Sequence, residues 1–448
     1  MTGRRGRRGR RWLRVALLAI GLLVVAGGAV LLALRVKWRG DLREAVARFE
    51  AEVGSLDPAT LPPPGGASSE NAASWLEAAG AALVLDEAES RVLGVAHEPL
   101  DTWTPAQVAA GRVLVEEHPE VLALLARAVP LEASSFGARY VPDPVPIDGT
   151  SVDAPRPVPD PAVDLIPHLR LGQFLRVAVG LAVLEGDCGL ASKRVEMASR
   201  HVRAFLAERL ILFGIFGGAV HRGLVDGVAD LAAHCRQVAP LERTLAALER
   251  VERGAFPPDE VLRGEGVSSL AQMPWMLERA EGWRAVFLPE HRLALQAGMI
   301  DHWREMVLAA RGGAPALQAF SERQREKVER PRNTVEIVTA MLTPNLVYAV
   351  ESMILREGSG RAARATLLLR IAGLREGAYP GLEALPEDLR APTASLGEAL
   401  VVNRLEDGGL EAGFPETLAD WRERHSGTEL APRLVLRLPA LELGSGRR

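Results

Sequence analysis

The hydrophobic pattern opens with one uninterrupted block: the twenty residues 15–34 are drawn only from Val, Ala, Leu, Ile and Gly. At ~1.5 Å of rise per residue, such a helix crosses a hydrocarbon core of about 30 Å. It also closes its own backbone hydrogen bonds in lipid. The block predicts a transmembrane helix over 15–36 that contacts the lipid bilayer. Leu42, Val46, Phe49 and Val53 continue with helical spacing, so the helix is expected to run outward as a short stalk until Gly54 ends it. Pro58, Pro62, Pro63 and Pro64 with Gly65 and Gly66 then predict a linker, making 37–69 stalk plus linker.

After the linker, apolar positions recur every three to four residues, the mark of amphipathic helices. Trp75, Leu76, Ala79 and Leu83 share the face of the first, Thr104-Pro105 opens another, and Pro119 breaks it. Nine prolines between 130 and 167 predict an extended, irregular stretch and a candidate docking segment. Residues 164–184 and 189–206 read as a helical hairpin turning at Gly186-Asp187. The apolar run 210–220 contains Gly214, Gly217 and Gly218; it is too short for a bilayer and reads as a buried helix packed closely through its glycines. Further helices are expected at 241–253, 270–281, 289–310, 316–330 and 334–356, with a loop at 263–269 and a break at 358–360. The helical domain thus spans 70–357.

The period then changes. A helix over 361–375 ends at Gly377, and Tyr379-Pro380 forms a turn packed against it. Residues 399–405, 410–414 and 433–438 alternate with period two around an Asp407-Gly408-Gly409 turn, which predicts a small antiparallel sheet in 361–448. The fold class is mainly α: an N-terminal transmembrane helix, a helical-hairpin body and a small C-terminal α+β element.

Charge orients this picture. The tail 1–14 carries Arg4, Arg5, Arg7, Arg8, Arg10, Arg11 and Arg14 and no acid, which holds it in the cytoplasm by the positive-inside rule and puts the bulk of the chain outside. Arg10-Arg11-Trp12-Leu13 also resembles a twin-arginine export signal, a pair that any Arg-rich tail produces. Gly27, Gly28 and Ala29 lie in the middle of the apolar run, where cleavage would leave an apolar stub, so the span reads as an uncleaved signal-anchor. Trp12 and Trp38 flank it at interfacial depth. Beyond residue 39 the net charge is −14, which argues against nucleic acid as a partner and against a basic lipid-binding surface. Cys188 and Cys235 are the two cysteines. They bridge if the domain is exported and the chain folds back near Glu208 or Gly214; otherwise they are two buried thiols.

Two stretches are similar to known proteins. Residues 166–233, with the Gly186-Asp187 turn and Ala191 opening the next helix, resemble the hairpin region of uncharacterised bacterial single-pass membrane-anchored helical proteins. Residues 361–414, through Arg375-Glu376-Gly377-Ala378-Tyr379-Pro380, Leu382, Leu385 and Pro386, resemble their C-terminal segment, itself similar to the soluble end of type II secretion pseudopilins. Residues 391–397 depart from the Asp-Pro-Phe-x-Gly loop of that segment. The resemblance implies an envelope location and a fold, and it assigns no activity; the anchor and its flanking charges add the expectation of a bacterial inner-membrane protein with its bulk extracytoplasmic, and the tether and hairpins that of an envelope protein partner.

Signature motifs of hydrolases, metalloenzymes and nucleotide-binding loops do not occur in the sequence, and no cofactor or metal is expected. The best polar constellation is Arg222, Asp226, Asp230 and His234, spaced by four along one helix face. Asp230 and His234 are the candidate acid–base or metal-ligand pair; the ordinary alternative is an Arg222–Asp226 pair on a solvated face. His291 and His302 share a face about 16 Å apart, too far for one metal. Asp301, His302 and Glu305 read as a surface charge group. Trp75, Trp103, Trp275, Trp283 and Trp303 read as core. The leading expectation is an anchored interaction or scaffold component of the bacterial envelope, and the alternative is an anchored hydrolase with its site in the helical body.

Overall fold

The computed structural model describes residues 5–57, 60, 70–136, 164–279, 289–330, 334–392, 395–424 and 434–441. Helices dominate: α1 (Arg5–Glu52), α2 (Ala72–Ala82), α3 (Glu87–Val92), α4 (Pro105–Glu117), α5 (Pro119–Ala128), α6 (Leu165–Leu184), α7 (Cys188–Leu206), α8 (Ile211–His234), α9 (Val238–Gly254), α10 (Pro258–Arg279), α11 (Pro289–Arg311), α12 (Gly313–Glu329) and α13 (Thr334–Glu376). The C-terminal section adds α14 (Glu387–Arg390), β1 (Val401–Arg404), β2 (Leu410–Gly413), α15 (Pro415–Arg424) and β3 (Val435–Leu438). The three strands form one antiparallel sheet in the order β1-β2-β3. The mainly α class with a small C-terminal sheet is therefore what the chain adopts. Most of the linker and the proline-rich stretch 137–163 lie outside the described residues.

Two helices among the described residues are long and apolar enough to cross a membrane: residues 20–52 of α1, and α8. They differ in cover. None of the apolar window of α1 is buried, and Leu23 is 72% exposed, whereas 61% of the window of α8 is buried inside the body. The continuation of α1 is no free stalk. Leu42, Ala45, Phe49 and Val53 are buried as α1 lies along α11. Arg48 donates to Asp301 at 2.8 Å, Arg304 to Glu52 at 2.7 Å, and Arg311 caps the carbonyl of Glu52 at 2.7 Å. Gly54, at φ +124°, then turns the chain away.

Local chemistry sets several boundaries. Asn71 caps α2, and Thr104 caps α4 in a reciprocal box with Gln107. Gly186, at φ +74°, and Asp187, which accepts from the Leu190 N–H, turn α6 into α7.

Two expected breaks are absent. Residues 263–269 are helical within α10, and 358–360 are helical within the 43-residue α13. A Cβ on Gly264 would stand 2.4 Å from the Arg209 carbonyl oxygen, and one on Gly358 would stand 2.8 Å from Leu434. These glycines serve close approach between elements, which outweighs their low helix propensity of about 1 kcal/mol each. α15, between β2 and β3, was not expected from the period-two pattern.

Tyr379 is one of the ties between the C-terminal element and the body, beside Ser395 on Glu357 and Arg361 on the Ala391 carbonyl. Arg370 donates to the Tyr379 hydroxyl at 2.6 Å, that hydroxyl donates to the Pro439 carbonyl at 2.8 Å, and Gly373 leaves the space the ring fills.

Candidate functional site

A cleft of about 410 Å³ opens between α6, α8 and α13. Small residues make it. Ile215, Gly218, Ala219, Arg222, Gly223 and Asp226 recur at intervals of three and four along α8, so one face of this helix lines the cleft, with Val220, His221 and Val225 reaching it from the flanks. A side chain on Gly214 or Gly217 would collide with Met353 or Leu206, at 2.9 and 2.8 Å, so those glycines are closed by packing. A Cβ on Gly218 would meet only the Ser352 hydroxyl, at 3.5 Å. The cleft is the space the packed glycines leave beside them.

Its polar groups are unevenly matched. Arg176, from α6, is buried and pairs with Asp230 at 2.5 Å while lying over the Trp103 ring at 5.6 Å. Arg356, from α13, has one long hydrogen bond, 3.5 Å to the Phe256 carbonyl, and no carboxylate at salt-bridge distance among the described residues. His221 is 3% exposed and makes no hydrogen bond among the described residues. Burial, assisted by the Arg356 charge, lowers the His221 imidazole to about 3, so it is neutral at ordinary pH. Burial also lowers the Arg356 guanidinium, to about 10, and it stays charged. Arg222, Asp226 and Glu351 complete the charged lining, and Gln173 hydrogen-bonds His97 at 2.9 Å at the rim.

The candidate pair of the sequence lies elsewhere. Asp230 and His234 line a second cleft, about 670 Å³, between α8 and β3. The Asp230 carboxylate is engaged by Arg176, and the exposed His234 ring donates from Nδ1 to the Asp230 carbonyl at 2.9 Å. The imidazole is thus bonded to the backbone of Asp230 and not to its carboxylate. Asp226 is buried, so the expected solvated face is also corrected: its carboxylate lines the first cleft.

The other groups separate as well. Asp301 faces α1 through Arg48, and Glu305 faces Lys327 of α12 at 3.7 Å. His302 is buried against Phe320, with ring centres 5.6 Å apart, and burial lowers it to about 4; it belongs to the core and not to a surface group. The side chains of His291, Trp275 and Trp283 lie outside the described residues. Trp103 and Trp303 are buried and Trp75 half-buried.

A buried histidine pair, His168 and His201, packs with Phe136, Phe205 and Phe213. The rings hydrogen-bond at 3.3 Å, and burial lowers His168 to about 4 and His201 well below its ordinary value.

No group of three or more His, Cys, Asp or Glu side chains among the described residues could hold a metal ion. Cys188 and Cys235 form a disulfide with Cα atoms 5.8 Å apart, because the chain folds back between α7 and α8 around Glu208, whose carboxylate accepts from Ser135 at 2.7 Å.

Sequence reading missed His221 and Arg356 because a lone histidine and a lone arginine on long helices carry no spacing signal. The one available pointer was the Gly214–Gly217–Gly218 run, which marks the element but not the residues facing it. Comparison with protein-family models, with curated proteins and with solved structures gives no match to this chain.

Proposed function

We propose that this chain is a single-pass, membrane-anchored binding component of the bacterial envelope, with its basic tail in the cytoplasm and its helical body outside. The observation that carries the reading is α1 itself. One uninterrupted helix leaves its apolar half uncovered and docks its polar half on α11 through Phe49, Arg48 and Glu52. Body and tether are therefore joined by packing as well as by the chain. The arginines of the tail support the orientation. The disulfide supports an oxidising compartment.

Binding is favoured over hydrolysis by the state of the polar pair. Asp230 neutralises a buried arginine and His234 bonds a backbone carbonyl, so neither presents a proton-transfer geometry to the other. The test is fractionation and protease protection of a C-terminally tagged chain in intact cells. The expected chain stays with membranes through alkaline carbonate, is released by detergent, and loses its tag to external protease once the outer barrier is opened. A tag protected until the membrane is dissolved contradicts the orientation, and a chain in the soluble fraction contradicts the anchor. Crosslinking from outside then identifies envelope protein partners.

A further inference from the structure

We propose that the cleft between α6, α8 and α13 binds a single-chain amphiphile with one anionic head, seated on Arg356 and His221, its chain lying along Leu169, Ile215, Val220 and Leu355. The inference rests on the reading of the body as a binding unit and names what it binds.

Size is the first argument. About 410 Å³ lies within the roughly 300–1,000 Å³ of small-ligand sites. Charge is the second. A guanidinium offers five donors, and Arg356 spends one, on a carbonyl 3.5 Å away, with no carboxylate in salt-bridge reach among the described residues. A cation in a partly buried site whose nearest carboxylate influence, from Glu357, comes from beyond salt-bridge reach is only partly compensated, and a ligand anion in direct contact removes that cost. His221 adds an independent observation: a side chain 3% exposed, lining the cleft, with no hydrogen bond among the described residues. Its neutral ring has one N–H to donate to an anion and needs no protonation to do so.

The remaining lining limits the ligand. Asp226 and Glu351 stand in the same cleft and repel a second negative group, so a polyanion such as a nucleotide fits poorly while a single head charge fits well. The apolar wall continues to the mouth, where Ile215 is 37% and Tyr348 53% exposed, giving a hydrocarbon chain a route out along α8. A free carboxylate and a lysophospholipid share this chemistry.

The test uses the full chain in lipid nanodiscs, titrated with the fluorescent fatty acid dansylundecanoate, with empty discs subtracted. Saturable binding is expected, displaced by dodecanoate or by lysophosphatidylglycerol, and the stronger of the two names the source. Dodecanol and dodecyltrimethylammonium should compete at least about tenfold less well, the value of one charge-assisted hydrogen bond. Arg356→Gln should weaken dodecanoate by about tenfold. Gly218→Leu, whose added Cβ meets only Ser352 at 3.5 Å, should fill the cleft and abolish binding with helix content and melting retained. Absence of saturable binding, equal competition by dodecanol, or binding that survives Gly218→Leu overturns the proposal. A chain that does not enter the discs contradicts the anchor instead, and the same titration on that chain in solution still decides the cleft.

Discussion

Two clefts open along α8, and charge is settled differently in each. In the one toward β3, Asp230 is neutralised by Arg176, which reaches it from the wall of the other cleft, Arg370 spends donors on the Tyr379 hydroxyl and the Cys235 carbonyl, and Glu411 stands 3.6 Å from Arg437. In the one toward α13, Arg356 has no carboxylate in reach among the described residues and His221 has no hydrogen bond there. Matched charges hold elements together. Unmatched ones, next to space, are what a binding site needs before its ligand arrives. Of the charged, evenly spaced residues that stand out in the sequence, Asp230 and His234 went to structure, while Arg222 and Asp226 line the cleft beside the inconspicuous Arg356 and His221.

The largest effect should come from breaking the matched side. Asp230→Ala strands the buried Arg176 cation and is expected to lower stability by about 3–5 kcal/mol, read from the denaturant midpoint. A loss below about 1 kcal/mol would mean that the pair is an ordinary surface contact and that the two clefts are alike.

Acid should act next. The buried rings of His168, His201, His221 and His302 have folded-state values lowered from 6.5, to about 4 for His168 and His302 and about 3 for His221. The unfolded chain therefore takes up protons first. Stability is complete above pH 6.5 and is lost as pH falls toward 4, by about 3 kcal/mol for a ring shifted as far as His168. His221→Phe should make the decline shallower, measured as midpoint against pH. An unchanged slope would show that His221 is not held neutral by its surroundings.

Neighbouring glycines of α8 should respond oppositely, on a smaller scale. Gly217→Ala puts a Cβ 2.8 Å from Leu206 and should cost about 1–3 kcal/mol by overpacking. Gly218→Ala faces the cleft and should stabilise by up to about 1 kcal/mol through helix propensity alone. Equal effects on the melting temperature would deny that the cleft begins between them. Smallest of all, Arg356→Gln should leave stability unchanged or slightly raised, because no ion pair is lost; a clear loss would reveal a structural partner for this arginine.

Much of the architecture was legible because period and punctuation agreed. Thr104-Pro105, Pro119, Gly186-Asp187 and Gly377 mark boundaries that the fold keeps. Glycine misled in 263–269 and 358–360, where its missing Cβ serves contact with Arg209, Trp303, Leu434 and Glu252 rather than a turn. Sequence spacing does not separate those two uses; only the partner element does. The candidate site was least legible for the same reason. Asp230 stands on the helix face that the sequence indicated, but its partner Arg176 comes from 54 residues away, and the cleft is defined by side chains that are absent.

A helical body that sits outside the membrane on its own anchor is reported directly by its two cysteines. Thiols are trapped in whole cells with a membrane-permeant alkylating reagent before lysis, and the intact chain is weighed by mass spectrometry. Cys188 and Cys235, with Cα atoms 5.8 Å apart, are expected to escape alkylation until a reductant is added, because an exported domain meets an oxidising compartment. Two alkylated cysteines without reductant would place the body in a reducing compartment and contradict that location.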